Sequence, residues 1–358
     1  TKLLTICPYP GASATSPASV RRRRTLRAEA PAGTMTRTAV GLGPGRAGTA
    51  VAMGTDHACA LLDDATVKCW GLGIYLGQGD TLTRGDGAGE MGDNLPAIEL
   101  GVGRTATAIS AGDQMTCAIL DKALVKCWGF NGSGQLGGGD TATRGDGPGE
   151  MGNALPTVNL GAGRTAVALS SGGDHTCAIL DNAAVKCWGD NVNGQLGLGD
   201  TADRGDNGGE MGNTLPAVAL GTGRTAVALS PGYTHTRAVP DDATLKCWGS
   251  NSNGKLGIGD ITNRGDNGGE MGDSLPAVAL GTGRSVVAVS SGASHTCAVL
   301  DNGSVKCWGF NTTGALGLGD LQSRGDQSNE MGDSLPAVDL GTARSASALT
   351  AGGNYACA

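Results

Sequence analysis

The tripeptide Arg-Gly-Asp occurs five times in this chain, beginning at Arg84, Arg144, Arg204, Arg264 and Arg324, and the last four copies stand 60 residues apart. The flanking residues recur with it; "DTADRGDNGGEMG" (Asp200 to Gly212) is one version. A period of that length confines the chain to architectures in which one supersecondary unit stacks on its neighbours, each burying a face it cannot bury alone. Whatever the fold, it is assembled from about six equivalent pieces, given 358 residues at about 60 each.

Composition decides what kind of piece. Glycine supplies 64 of 358 residues, far above its usual share of about 7%. Each glycine disfavours a helix interior by about 1 kcal/mol, so short strands and tight turns are favoured over long helices. No apolar run approaches the roughly 18 residues needed to span a bilayer as a helix. Within one unit, four segments carry strand character: "TAVALS" (Thr165 to Ser170), "HTCAIL" (His175 to Leu180), "AVKCWG" (Ala184 to Gly189) and "PAVAL" (Pro216 to Leu220). The expectation is an all-β chain, a β-propeller of four-stranded blades.

The central hairpin can be checked by counting. Cys177 and Cys187 lie five residues on either side of Asn182, so a three-residue turn sets them opposite one another, within closing distance of a disulfide. The same spacing pairs Cys59 with Cys69, Cys117 with Cys127 and Cys297 with Cys307. In the fourth unit Arg237 replaces the first cysteine, leaving Cys247 as a free thiol, and Pro240 removes a backbone donor from the strand; this blade should be the least stable. The last hairpin turn carries Gly303 where a left-handed residue is required, whereas Ala65, Ala123, Ala183 and Ala243 stand there in the others. Either those turns differ or each alanine costs about 1 kcal/mol.

"HTCAILDNAAVKCWGDNVNGQLGLGD" (His175 to Asp200) resembles the repeat of the regulator of chromosome condensation family, which reads G-x-x-H-T-x-A-L, a turn, then W-G-x-N-x-x-G-Q-L-G. Similar stretches run from Asp56 to Asp80, Asp113 to Asp140, His235 to Asp260 and His295 to Asp320. The resemblance implies a propeller, usually of seven blades. It also implies a choice of activities: some members exchange guanine nucleotide on the small GTPase Ran, many are adaptors, and a secreted relative type inhibits β-lactamases by surface contact. The sequence departs from the pattern in a first loop two residues short (Trp70 to Asp80), in Met115 for histidine, and in Arg237 and Pro240. No insertion of an exchange-factor kind is visible, because every unit carries nearly the same loop.

The Asp200 to Asn213 loop admits three readings. An adhesion motif needs an exposed tip, and five near-identical copies are one duplicated event. A calcium loop could draw on Asp200, Asp206 and Glu210 with glycine carbonyls, although the spacing fits no EF-hand. The preferred reading is an internal clasp, Arg204 forking onto a carboxylate such as Glu210 while Asp206 accepts turn N–H groups. His57, His175, His235 and His295 share one repeat position. With the neighbouring cysteines they give at most three zinc ligands per hairpin, so buried, hydrogen-bonded histidines near the propeller axis are expected instead. Asp181 lies at the wrong end of the strand to complete a triad with Ser171 and His175. "NGKLG" (Asn253 to Gly257) lacks the hydroxyl residue of a P-loop. No catalytic residue, cofactor site or metal site is therefore assigned.

Residues 1 to 48 carry eight basic side chains against Glu29 alone, a net +7, so the remainder carries −14 of the total −7. An acidic body does not suit nucleic acid. Residues 1–37, with Arg21 to Arg24, read as a basic, irregular or disordered segment of transit-peptide-like composition, and residues 38–358 as the propeller. Paired cysteines favour an oxidising compartment. "LLTIC" (Leu3 to Cys7) could close six blades by setting Cys7 opposite Cys357; an open fragment of a seven-bladed ring is the alternative. The functional expectation is a non-enzymatic scaffold presenting loops to a protein partner. Phe130 and Phe310, the only phenylalanines, stand in the variable turn after the tryptophan and are its hot-spot candidates. The alternatives are an exchange factor for a Ran-like small GTPase and a calcium-dependent extracellular or cell-surface module.

Overall fold

Each unit folds as an antiparallel meander, because its alternating segments are joined by turns too short for any other pairing. The computed structural model describes residues 40–358; the expectations for residues 1–37 and for Cys7 fall outside them. The first blade is β1 (Gly48–Met53), β2 (His57–Leu62) and β3 (Val67–Gly71). The second is β4 (Ala106–Ala111), β5 (Met115–Leu120) and β6 (Val125–Gly129). The third is β7 (Ala166–Ser171), β8 (His175–Leu180) and β9 (Val185–Gly189). The fourth is β10 (Ala226–Leu229), β11 (His235–Pro240) and β12 (Lys246–Gly249). The fifth is β13 (Val286–Ser291), β14 (His295–Leu300) and β15 (Val305–Gly309), and a short pair follows, β16 (Thr350–Ala351) and β17 (Ala356–Cys357). Among the described residues these make five three-stranded sheets, each in simple sequential order, and one two-stranded sheet.

The expected fourth strand is not a strand. Val218 donates one backbone hydrogen bond to the Val185 carbonyl at 2.8 Å, and Ile98, Val158, Val278 and Val338 do the same in their units. Pro216 has no N–H to extend the ladder, and Gly221, at φ 126°, turns the chain away. What holds the segment is packing: Leu215, Val218 and Leu220 are buried.

That packing shows where the core lies. One apolar cluster joins Ile179, Val185 and Leu196 of the third blade to Ala226, Ala238 and Trp248 of the fourth, and the other clusters repeat this pattern along the chain. The core is thus distributed between blades, and a middle strand such as β8 is buried along its whole length. At the centre of four of the hairpins the cysteines face one another in register, and Cys59–Cys69, Cys117–Cys127, Cys177–Cys187 and Cys297–Cys307 are disulfide-bonded.

In the third, fourth and fifth blades a tryptophan locks the blade to the one before it. Trp188 Nε1 donates to the Gln135 carbonyl at 3.0 Å, Trp248 to Gln195 at 2.9 Å and Trp308 to Lys255 at 3.2 Å. A Cβ on Gly137 would come within 2.9 Å of Trp188 Nε1, so the left-handed glycine there is a condition of the joint. Trp128 faces the shortened first loop, and its Nε1 finds no partner among the described residues.

The fourth blade is built on shorter strands. Pro240 cannot make the bond that Leu180 N–H donates to Ala184 at 2.9 Å, and the β11–β12 pairing stops at Ala238 opposite Lys246. Pro231, standing where the third blade has Ser171, ends β10 at Leu229. The hairpin turns resolve the question left by the alanines: Ala65, Ala123, Ala183 and Ala243 adopt φ values of 64°, 55°, 61° and 58°, so the strained conformation is kept.

Candidate interaction rim

One end of the blades is formed by the turns between first and second strands, residues 54–56, 112–114, 172–174, 232–234 and 292–294. Successive turns are tied together by backbone bonds: Thr55 N–H to Asp113 O at 3.0 Å, Asp113 to Gly173 at 3.1 Å and Gly173 to Gly232 at 3.2 Å. The residue after each tryptophan strand joins the same rim, Phe130 N–H donating to Gln114 O at 2.9 Å and Asp190 N–H to Asp174 O at 2.8 Å. The backbone is regular here, and the side chains are not. One column reads Asp56, Gln114, Asp174, Thr234, Ser294; its neighbour reads Thr55, Asp113, Gly173, Tyr233, Ala293.

The opposite end repeats itself. Arg104–Asp121 at 2.6 Å, Arg164–Asp181 at 3.3 Å, Arg224–Asp241 at 3.3 Å and Arg284–Asp301 at 3.4 Å are one ion pair copied from unit to unit. Exposed pairs of this kind add little stability, and nothing in them tells one blade from another.

On the variable rim the first three blades share a negative field. Burial raises the Asp113 carboxyl above the usual carboxylate range, and the charges of Asp174 and Asp56 raise it further. Asp174 is raised by burial and then by Asp190, although Gln135 Nε2 donates to its Oδ1 at 3.0 Å. The Tyr233 hydroxyl is raised first by the charge of Asp113, and burial pushes up the Tyr75 hydroxyl, with Asp56 and Asp113 adding to it. Asp113 therefore feels the charges of Asp174 and Asp56, and Asp174 that of Asp190, with two tyrosines among them. Of the phenylalanines, Phe130 is on this rim in the second blade, 37% exposed, with its ring over Gly132. Phe310 is in the fifth blade, so the structure does not bring the two together.

The remaining sequence candidates lie inside the joints. His57 Nε2 meets Thr116 Oγ1 at 2.8 Å and His175 Nε2 meets Thr236 Oγ1 at 2.8 Å, each across to the next blade. Burial lowers both imidazoles to about 4, so they are neutral pillars between sheets. In the Arg-Gly-Asp loop Arg204 Nη2 donates to Asp200 Oδ2 at 2.6 Å, and not to Glu210. Asp200 lies one short turn upstream, whereas Glu210 Oε2 already accepts the N–H groups of Gly205 at 2.9 Å and Asn207 at 3.1 Å. Burial and then Glu210 raise the Asp206 carboxyl, while Glu210 is held low because its hydrogen bonds outweigh its own burial. Gly205 itself is buried, and its carbonyl accepts from Gly139 N–H of the preceding blade at 3.0 Å. Among the described residues no three acidic, histidine or cysteine side chains converge as metal ligands, and no helix is long and apolar enough to cross a membrane.

The repeats match known profiles. The profile described as Regulator of chromosome condensation (RCC1) repeat matches residues 49–78, 106–135, 166–195 and 286–315, and a second profile of the same description matches 245–299. The ultraviolet-B receptor UVR8 of Arabidopsis thaliana is 30% identical over 277 residues, 76% of this chain and 55% of the receptor. The human E3 ubiquitin-protein ligase HERC2 is 28% identical over 253 residues, 69% of this chain and 5% of the ligase. The chain thus spans little more than half of one relative and a small part of the other. Among solved structures, Prp20p of Saccharomyces cerevisiae superposes with a TM-score of 0.65 at 19% identity, over 87% of this chain and 68% of Prp20p. Human WBSCR16 superposes with a TM-score of 0.62 at 18% identity, over 87% and 71%. Repeat profile and propeller architecture agree, and the chain belongs to the regulator of chromosome condensation (RCC1) repeat family.

Proposed function

We propose that this chain is a non-enzymatic propeller that binds a basic segment of a partner protein on the acidic rim of its first three blades. The observation that carries the reading is the confinement of variation. Apart from the fourth blade, with Arg237, Pro240 and Lys255 inside it, joints, hairpins and the opposite rim are copied from unit to unit, while the rim that holds Asp56, Asp113, Asp174, Asp190, Tyr75 and Tyr233 is not. Specific recognition needs surfaces that differ from their neighbours, and Asp113 and Asp174, raised by burial and by neighbouring charge, gain from an incoming cation. Phe130 supplies an apolar anchor beside them, with Phe310 a separate candidate on the fifth blade.

The test is binding of a fluorescein-labelled Lys/Arg-rich peptide, with an acidic peptide as control. Replacing Asp56, Asp113, Asp174 and Asp190 together by Asn should weaken binding at least tenfold, and Phe130→Ser should weaken it severalfold. Unchanged affinity in the fourfold variant rejects the rim. The structure of Prp20p is named for its binding to Gsp1p and histones, which favours a small GTPase as a second kind of partner. Accelerated nucleotide release from a panel of purified small GTPases would establish an exchange-factor role. Melting that depends on calcium would instead favour a calcium-dependent module using Asp200, Asp206 and Glu210.

A further inference from the structure

The fourth blade carries a buried positive charge that the protein itself does not neutralise. Where four hairpins hold a disulfide, this one holds Arg237, fully buried opposite Cys247. Its guanidinium reaches two backbone carbonyls, Nη2 to His295 O at 3.2 Å and Nη1 to Ser230 O at 3.4 Å, and touches the His235 ring. Nε has no partner, and no ion pair among the described residues includes this side chain.

A second cation stands in the same blade. Lys255, 4% exposed, replaces the glutamine found at Gln135 and Gln195, and Nζ meets only Thr234 Oγ1 at 3.4 Å. Thr234 in turn replaces the acid that the third blade has at Asp174. Relative to its neighbour, this blade has gained two cations and lost the carboxylate that could face them. The backbone around Lys255 shows that both cations adjoin the same strand: its carbonyl accepts from Thr296 Oγ1 at 3.0 Å, one residue beyond His295, which Arg237 touches. His295 Nε2, at 1% residue exposure, is another buried polar atom without a partner.

Burial lowers Arg237 to about 10 against the opposing pull of Cys247, and burial with the Arg237 charge lowers Lys255 to about 8, yet Arg237 remains charged at neutral pH and Lys255 largely so. Cys247 cannot serve as the counter-charge, because burial pushes its thiol up to about 12 and keeps it neutral. Unpaired buried charge is among the most unfavourable features a core can hold, and proteins resolve it with a counter-ion or a bound ligand. We propose that a small inorganic anion of the halide class binds between the fourth and fifth blades, held by Arg237 and Lys255 with His295 at its edge. The size follows from the surroundings: His235, Thr236 and Thr296 are fully buried and His295 nearly so, which favours a monatomic ion over phosphate or a carboxylate ligand.

The experiment compares melting in sodium chloride, sodium bromide and sodium gluconate at equal ionic strength. The native protein should be stabilised by the two halides in a saturable way that gluconate does not reproduce. Arg237→Cys gives the hairpin the cysteine pair of its four counterparts and should fold with no saturable halide response. Lys255→Gln, which restores the residue of the second and third blades, should weaken the apparent halide affinity at least tenfold. Bromide-soaked crystals should show an anomalous peak beside Arg237. An absent halide effect, an equal effect in Arg237→Cys, or bromide bound only elsewhere would overturn the proposal.

Discussion

The third and fourth blades are two copies of one unit that differ at their centres. The third closes its hairpin with Cys177–Cys187, runs β7 over six residues and keeps the full β8–β9 pairing. The fourth has Arg237 against a free thiol, four-residue outer strands and two prolines that end its ladders early. Yet Trp188 and Trp248 make the same bond to the blade before, at 3.0 and 2.9 Å, and both are fully buried. The unit therefore tolerates damage within a blade while the joints between blades are intact. In a stacked architecture stability resides in intrinsic terms plus nearest-neighbour terms, and only the first has been weakened here.

The sharpest test of that division attacks the joints. Trp188→Ala and Trp248→Ala should each lower unfolding stability by about 3–5 kcal/mol, and by similar amounts despite the difference between their blades. Denaturant melts that show Trp248→Ala to be much the milder would place the fourth blade outside the shared scheme.

Acid separates the blades next. His57, His175 and His295 are lowered to about 4 by burial, against 6.5 when unfolded. Because the folded value is the lower one, the stability gained from keeping these rings neutral is complete above pH 6.5 and is lost as pH falls from 6.5 to about 4. Each ring contributes on the order of 3 kcal/mol across that window. Burial drives His235 well below its ordinary value and the Arg237 charge adds a push that His57 and His175 lack, so the fourth blade should lose more stability to acid than the first and third. Hydrogen exchange followed by peptide across pH 3 to 7 reads this directly.

Exchanging the hairpin centres should reverse the ranking. Cys177→Ala with Cys187→Ala should cost about 2–4 kcal/mol and make the third blade exchange as fast as the fourth. Arg237→Cys should bring the fourth towards the third by a similar amount once the new disulfide forms, which a non-reducing peptide map would verify. Slow exchange of the native fourth blade, equal to its neighbours, would remove the basis for the contrast. The smallest effect concerns what the two blades share: Ala183→Gly and Ala243→Gly should each stabilise by up to about 1 kcal/mol, because both alanines sit at positive φ.

Much of this was readable from spacing alone. Hairpin pairing and the four disulfides follow from residues ten apart across a short turn, and the unpaired Cys247 follows from Arg237. "PAVAL" has the residues of a fourth strand, although Pro216 denies it a ladder. Arg204 had acids at close range on both sides, and sequence could not choose Asp200 over Glu210. The acidic rim was missed for a different reason: Asp56, Asp113, Asp174 and Asp190 come from two loops in three units and obey no period. A signal did exist in the column just before the repeated histidine, where identity breaks down. Lys255 reads as an ordinary exchange of one long polar residue for another until its burial is known.

The tryptophan joint has a kinetic consequence. Trp188 is received by the Gln135 carbonyl and by Gly137, and Trp248 by the Gln195 carbonyl and by Gly197, the same two features one unit later. Nothing in the socket identifies its owner, so a partly folded chain that seats a blade one unit out of sequence forms a nearly correct contact and must undo it. Two molecules folding side by side can exchange blades by the same route. Refolding yield should therefore fall as protein concentration rises, with the lost material trapped in contacts that each resemble the native one.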